Sequence, residues 1–230
     1  MTSAGGGREV VFTVWSDEIF GRIDAFFYRP EFKQFTKELK KVKSIPFGEI
    51  IKSITNSFDY REFDDEASTE YLRVSNIKPY EIVYNDVKKV KLEVEKIKKS
   101  IQLHKGDILL TRKGTFGVSV ALGQDLPALI SSEIFLIRLK REDIEPSYVE
   151  AFLNSSICQK QFQNQKVGAI MGSLSQESVK QILIPLPPYN IQKEIAKEVQ
   201  NRREKAKRLK QEAETTIAEA QKQVEEMILV

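Results

Sequence analysis

The sequence predicts an α+β protein: a compact domain built on a mixed or antiparallel sheet, followed by a long C-terminal helix that forms a coiled coil. Three observations carry this. Short Val-, Ile- and Leu-rich runs fill the middle of the chain, separated by Gly or Pro. The run Pro185-Leu186-Pro187-Pro188 must be extended, because proline disfavours helix at the residue before it. From Asn190 to about Met227 there is neither Gly nor Pro, and Ala, Glu, Lys, Gln and Arg dominate. The expected domains are therefore 1–188 and 189–230.

Taken in order, Glu9 to Trp15 reads as a short strand, and Pro30 opens a helix with Phe32, Phe35, Leu39 and Val42 on one face. The strands are expected at Tyr71 to Lys78, Asp107 to Arg112, Val118 to Leu122, Ala128 to Ser131 and Glu133 to Leu139. Pro146 starts a second helix, with Val149, Phe152, Leu153 and Ile157 on one face. A polar loop is expected from Gln159 to Gly172, leading to a short helix in which Ser173 and Gln176 have capping-box spacing. Ile182 to Ile184 forms the last strand.

In the long helix, with Asn190 as N-cap, Val199, Arg202, Ala206, Leu209, Ala213, Thr216 and Ala220 follow a 3-4 alternation. Ile217, Val224 and Ile228 lie on an adjoining stripe. At 1.5 Å per residue the helix is roughly 55 Å long, and a seam this narrow needs a partner helix. The interface residues expected are Val199, Ala206, Leu209, Ala213, Ile217 and Ala220.

Composition narrows the chemistry. The 230 residues are 41% hydrophobic and 30% charged, which suits a globular chain and excludes collagen-like and disordered classes. The longest apolar runs fall far short of the roughly 18 residues needed to cross a bilayer, so no membrane partner is expected. A single cysteine, Cys158, and a single histidine, His104, argue against a disulfide framework, a zinc finger or a His-based metal site, and fit a reducing, cytoplasmic setting. Net charge is only +3, but seven lysines from Lys88 to Lys105 face Glu93 and Glu95 alone, while Asp59 to Glu70 is acidic.

Catalytic patterns are missing. No G-x-x-x-x-G-K-[ST] or G-x-G-x-x-G loop offers a phosphate cradle. Leu186-Pro187-Pro188-Tyr189 resembles the motif of amino-directed DNA methyltransferases, but leucine stands where a polar side chain must bond the target amino group. Asp64, Asp65 and Glu66 read as a solvated acidic loop.

Three polar loops remain. Thr111-Arg112-Lys113-Gly114-Thr115-Phe116-Gly117 joins two strands, and its Arg and Lys suit phosphates or guanine edges. Lys166-Val167-Gly168-Ala169-Ile170-Met171-Gly172-Ser173-Leu174-Ser175 carries hydroxyls, glycines and a lysine. Arg73, Ser75 and Asn76 end the first of the middle strands. The DNA-contact candidates are Arg73, Ser75, Asn76, Arg112, Lys113, Thr115, Lys166, Gly168, Ser173 and Ser175. Lysines between Lys88 and Lys105 are further candidates for phosphates.

The order Tyr71-Leu72-Arg73-Val74-Ser75-Asn76-Ile77, then Gly106-Asp107-Ile108-Leu109-Leu110-Thr111-Arg112-Lys113-Gly114-Thr115, then Ile184-Pro185-Leu186-Pro187-Pro188 with Gln192 and Ile195 resembles the specificity subunit of Type I restriction-modification enzymes. Arg22-Ile23-Asp24-Ala25-Phe26-Phe27-Tyr28 resembles the start of its target-recognition domain. The resemblance implies a non-enzymatic module that reads one half of a bipartite site in double-stranded DNA. Its helical spacer binds modification (methyltransferase) and restriction subunits. S-adenosylmethionine, ATP and Mg would belong to those partners, with no cofactor, metal or catalytic residue in this chain. A full specificity subunit has two recognition domains and two spacer helices, whereas this chain has one of each. It is therefore expected to be a half-subunit that dimerises through the C-terminal helix, or a fragment. The alternatives are the recognition end of a fused restriction-methyltransferase and a helical assembly protein that never touches DNA.

Overall fold

The computed structural model describes residues 13, 14, 16, 39, 41–92, 98–165 and 172–229. The strand expected at Glu9 to Trp15, nearly all of the helix expected from Pro30, Lys166 and Gly168 lie outside the described residues.

The strands are β1 (Ser44–Pro46), β2 (Ile51–Asn56), β3 (Thr69–Leu72), β4 (Ile77–Lys78), β5 (Glu81–Ile82), β6 (Lys88–Val90), β7 (Ile108–Thr111), β8 (Ser119–Ala121), β9 (Ala128–Ile130), β10 (Ile134–Leu139) and β11 (Leu183–Pro185). The helices are α1 (Pro146–Leu153), α2 (Ser156–Gln165), α3 (Gln176–Lys180) and α4 (Tyr189–Ile228). A four-stranded antiparallel sheet, in the order β2-β10-β7-β8, forms the centre.

Alternation along these strands builds two cores. Ile54, Ile108, Leu110, Phe135 and Ile137 point to one face and pack with Val149, Phe152, Leu153, Phe162 and Val179 of α1, α2 and α3. Leu109, Ile134, Leu136 and Val120 point to the other, against Leu72, Ala128 and Ile130 of a second sheet, β6-β3-β9. In that sheet β3 and β9 run parallel, with Leu72 opposite Ile130. A one-residue slip of β10 would exchange these faces, so both cores hold its register.

Several expectations need correcting. The segment from Tyr71 to Lys78 is not one strand, because a 3-10 turn at Val74–Asn76 interrupts it. There the fully buried Asn76 accepts through Oδ1 from the Arg73 N–H at 2.9 Å and donates through Nδ2 to the carbonyls of Val83 and Asn85. The helix from Pro146 ends at Leu153, and Ile157 is exposed on α2. Gln159 to Gln165 is helical instead of a loop, since buried Cys158 and Phe162 anchor α2 on the sheet. The cap of α3 is Ser175 rather than Ser173; its Oγ accepts the Ser178 N–H at 2.9 Å. Strand β2, absent from the sequence reading, runs antiparallel to β10. The long helix begins at Tyr189, one residue before Asn190.

Backbone groups left unpaired at the strand edges are capped by side chains from the helical segments. Asn154 accepts from the Ser119 N–H at 3.1 Å and donates to the Ser119 carbonyl at 2.9 Å, while Glu150 Oε1 accepts from the Ala121 N–H at 2.9 Å. Gln161 serves Leu183 of β11 in the same way. Each bond satisfies a ladder group that would otherwise be stranded beside the core.

At 40 residues, α4 is about 60 Å long. Its root is fastened by one row: Gln192, Ala196, Val199 and Arg203, at spacings of 4, 3 and 4. Gln192, only 2% exposed, accepts from the Glu145 N–H at 3.0 Å and donates to the Pro187 carbonyl at 2.8 Å. Arg203 donates to the Tyr80 carbonyl at 3.0 Å, and its guanidinium lies 4.5 Å from the centre of the Tyr80 ring. Beyond this row the helix leaves the body. Among the described residues no helix is long and apolar enough to cross a membrane.

Candidate nucleic-acid interface

The pairing register brings five chain segments to one end of the sheets. Thr111, the last residue of β7, lies opposite Ile134, the first of β10, and Asn56, the last of β2, lies opposite Phe135. Strands β3 and β9 end beside each other, where the Ser131 N–H donates to the Leu72 carbonyl at 2.9 Å. Residues Asn56 to Asp59, Arg73 to Asn76, Arg112 to Gly117, Ser131 to Glu133 and Gly172 to Gln176 therefore share this end. Direct contacts join them: Leu174 N–H donates to the Arg112 carbonyl at 2.9 Å, Arg112 N–H donates to the Glu133 carbonyl at 2.9 Å, and Ser132 Oγ donates to Asp59 Oδ1 at 2.6 Å. A methyl group placed on Gly114 would lie 4.0 Å from Val74. The three loops singled out in the sequence thus meet, the third through its described residues 172–175.

The Arg112 loop is rigid by construction. Thr111 Oγ1 donates to the Thr115 carbonyl at 2.6 Å and accepts from the Val118 N–H at 3.0 Å, and the Gly117 N–H donates back to the Thr111 carbonyl at 2.8 Å. Gly117 adopts φ +84°, and a Cβ there would meet Phe162 at 2.8 Å, so glycine is required twice over. On this frame the Arg112 guanidinium lies 5.0 Å from the centre of the Phe135 ring, a cation–π stack that holds the side chain in place. Its Nε is buried without a hydrogen-bond partner. Lys113 and Thr115 are exposed beside it.

The other candidates divide. Arg73 is tied to Asp86 at 2.9 Å, leaving its Nε unpaired, and Ser75 is exposed. Asn76 cannot reach a base: its amide is fully buried and spent on backbone. Ser173 is half-buried, while Ser175 is exposed but engaged as a helix cap. The basic segment and the acidic loop, read as separate charge blocks, partly neutralise each other. Lys91 pairs with Asp64 and Lys89 donates to the Asp65 carbonyl at 3.4 Å, while Lys88 pairs with Asp86, two residues before it, at 2.9 Å. The Asp64 carboxyl lies below the usual range, chiefly through its bond from Lys91.

A second feature lies elsewhere, built from residues far apart in the chain. A groove of about 860 Å³ opens between α4 and the body, lined by Tyr80, Glu150, Val199, Arg203, Ala206 and Lys207 among others. Glu150, 8% exposed, is raised to about 7 because burial disfavours its charged form more than the Ala121 N–H and Arg203 favour it. Val199, half-buried, and Ala206, exposed, both expected at the helix interface, line this groove. Leu209, Ala213, Ile217 and Ala220 are exposed beyond it, with Leu209 at 51%.

Comparison with known proteins now bears on this arrangement. Residues 35–218 match the model of the Type I restriction modification DNA specificity domain. The Type I restriction enzyme EcoBI specificity subunit of Escherichia coli is 25% identical over 137 residues, covering 60% of this chain and 29% of that protein. The HsdS subunit of Thermoanaerobacter tengcongensis superposes with a TM-score of 0.53 at 14% identity, covering 78% of this chain and 44% of that one. The type IIG restriction endonuclease BpuSI superposes with a TM-score of 0.55 at 10% identity, covering 76% of this chain and 28% of that one. The chain thus spans less than half the length of each of these relatives. With most of its length matched, including β1 to β11 and the root of α4, the chain belongs to the Type I restriction modification DNA specificity domain family.

Proposed function

We propose that this chain is a DNA-recognition module that reads one half of a bipartite duplex site through the loop end of its sheets. The observation that carries the reading is the convergence there of a rigid, stacked Arg112 with exposed Lys113 and Thr115. Arg112 faces base edges, while Lys113 holds phosphate and so carries affinity without sequence information. Chemistry belongs to partners: modification subunits that use S-adenosylmethionine, and a restriction subunit that uses ATP and Mg. The setting is cytoplasmic. The isolated chain neither methylates DNA nor binds S-adenosylmethionine with micromolar affinity, and calorimetric titration of the pure protein tests this.

Division into a recognition domain up to residue 188 and a spacer helix from 189 is part of the same reading. A lone helix cannot bury the stripe through Leu209, Ala213, Ile217 and Ala220. Two copies laid antiparallel around a twofold axis cover it mutually and hold two recognition domains at a fixed separation. Replacing Leu209 and Ala213 with Glu dissociates this dimer in sedimentation while leaving the body folded. A wild-type chain that stays monomeric at tens of micromolar contradicts the dimer. The likeness to BpuSI favours a second reading, the recognition end of a fused restriction-methyltransferase.

The test of DNA recognition is titration of duplex DNA at increasing salt. Binding that weakens steeply with salt supports it, because neutralised phosphates release counterions. No binding at low salt supports an assembly protein instead.

A further inference from the structure

Beside Arg112 stand two side-chain amides, Asn56, which is exposed, and Gln176, which is half-buried. In an antiparallel pair, residues directly opposite share a face. Asn56 lies opposite Phe135 on one side and Leu110 lies opposite it on the other, and Arg112, two residues past Leu110, stacks on the Phe135 ring. Asn56 and Arg112 therefore flank the buried Phe135 ring from neighbouring strands, at the edge of the core. Gln176 closes the third side. The segment leading into it bonds to Arg112 through Leu174, and its own Nε2 donates to Asn56 Oδ1 at 3.5 Å. That distance is at the outer limit for a hydrogen bond, so each amide keeps most of its capacity for another partner. The half-buried Glu133 lies opposite Arg112 across the ladder, its carbonyl accepting from the Arg112 N–H.

Each group matches one base edge in the major groove. An Asn or Gln amide both donates and accepts, which fits N7 and N6 of adenine; a guanidinium fits O6 and N7 of guanine; a carboxylate accepts from N4 of cytosine. We infer that Asn56 and Gln176 form, with Arg112 on the Phe135 ring, the base-reading set of this chain, the two amides selecting adenine next to a guanine read by Arg112. The inference rests on the DNA-recognition reading above and adds to it the residues and the base class.

The experiment selects bound sequences from a randomised duplex pool with the full chain and with Asn56→Ala, Gln176→Ala, Asn56→Asp and Gln176→Glu, each first checked for an unchanged melting temperature. The wild type is expected to yield a motif holding adenine beside guanine. Each alanine variant should relax preference for adenine at one position by about tenfold or more, leaving the other positions intact. The isosteric Asp and Glu variants, which fold alike but cannot donate, should move that position towards cytosine. A wild type that selects no motif overturns DNA recognition itself. A wild type that selects a motif retained unchanged by all four variants, or weakened evenly at every position, overturns the base-reading set alone.

Discussion

The root of α4 and the loop end of the sheets treat polar side chains in opposite ways. At the root, Gln192 gives its amide to Glu145 and Pro187, Arg203 donates to Tyr80, and Glu150 accepts from Ala121. At the loop end, Ser57, Arg73, Arg112 and Ser131 each hold a buried side-chain atom without a hydrogen-bond partner. Leaving a buried polar group unsatisfied costs about 1–3 kcal/mol. The root fixes a direction for the helix, and under the DNA-recognition reading proposed above the loop end is where the duplex binds.

The contrast breaks first at the root. Gln192→Ala strands the Glu145 N–H and the Pro187 carbonyl beneath the helix, and should lower stability by roughly 2–4 kcal/mol in urea denaturation while leaving base preference unchanged. A shift in preference without loss of stability would place Gln192 in the wrong class.

Glu150 sharpens the comparison through pH. Its carboxyl is raised from 4.5 in the unfolded chain to about 7 in the fold. The native state therefore binds the proton more tightly, so the stability it contributes is full below pH 4.5 and is lost as pH rises through 7. The displacement corresponds to about 3 kcal/mol. Glu150→Gln keeps an oxygen for the Ala121 N–H and removes the buried charge, so it should flatten this pH slope and stabilise the protein at pH 8. An unchanged slope between pH 5 and 8 would contradict the assignment.

How much of this was legible in the sequence depended on whether the signal was local. Strands β7 to β10 stand out as apolar runs because they are buried on both faces, and α4 stands out because nothing interrupts it. Strand β2 was missed: Ile51-Lys52-Ser53-Ile54-Thr55-Asn56 buries only Ile51 and Ile54, and its place is fixed by β10, far along the chain. The Arg112 loop was legible from its glycines. Asn76 was misjudged, since a polar residue after a strand looks the same whether it bonds a base or the backbone of Val83 and Asn85. Nothing local marks Glu150 or Tyr80: Glu150 bonds the Ala121 N–H of β8 from α1, and Tyr80 meets Arg203 only once α4 packs on α1.

At the loop end the expected effects are on binding. Arg112→Ala should cost about 1–3 kcal/mol on the selected duplex and blur one position, with little change in melting temperature. Lys113→Ala should weaken all duplexes alike and reduce the salt slope by about 1. Equal, sequence-independent losses from both would reassign Arg112 to phosphate.

Hydrogen exchange of the full chain, with and without its selected duplex, tests the division between the two regions most directly. New protection is expected in residues 56–59, 73–76, 112–117, 131–133 and 172–176, with exchange around Tyr80, Glu150 and Arg203 unaltered. Protection confined to the groove at the root of α4, with the loop end unchanged, would contradict it.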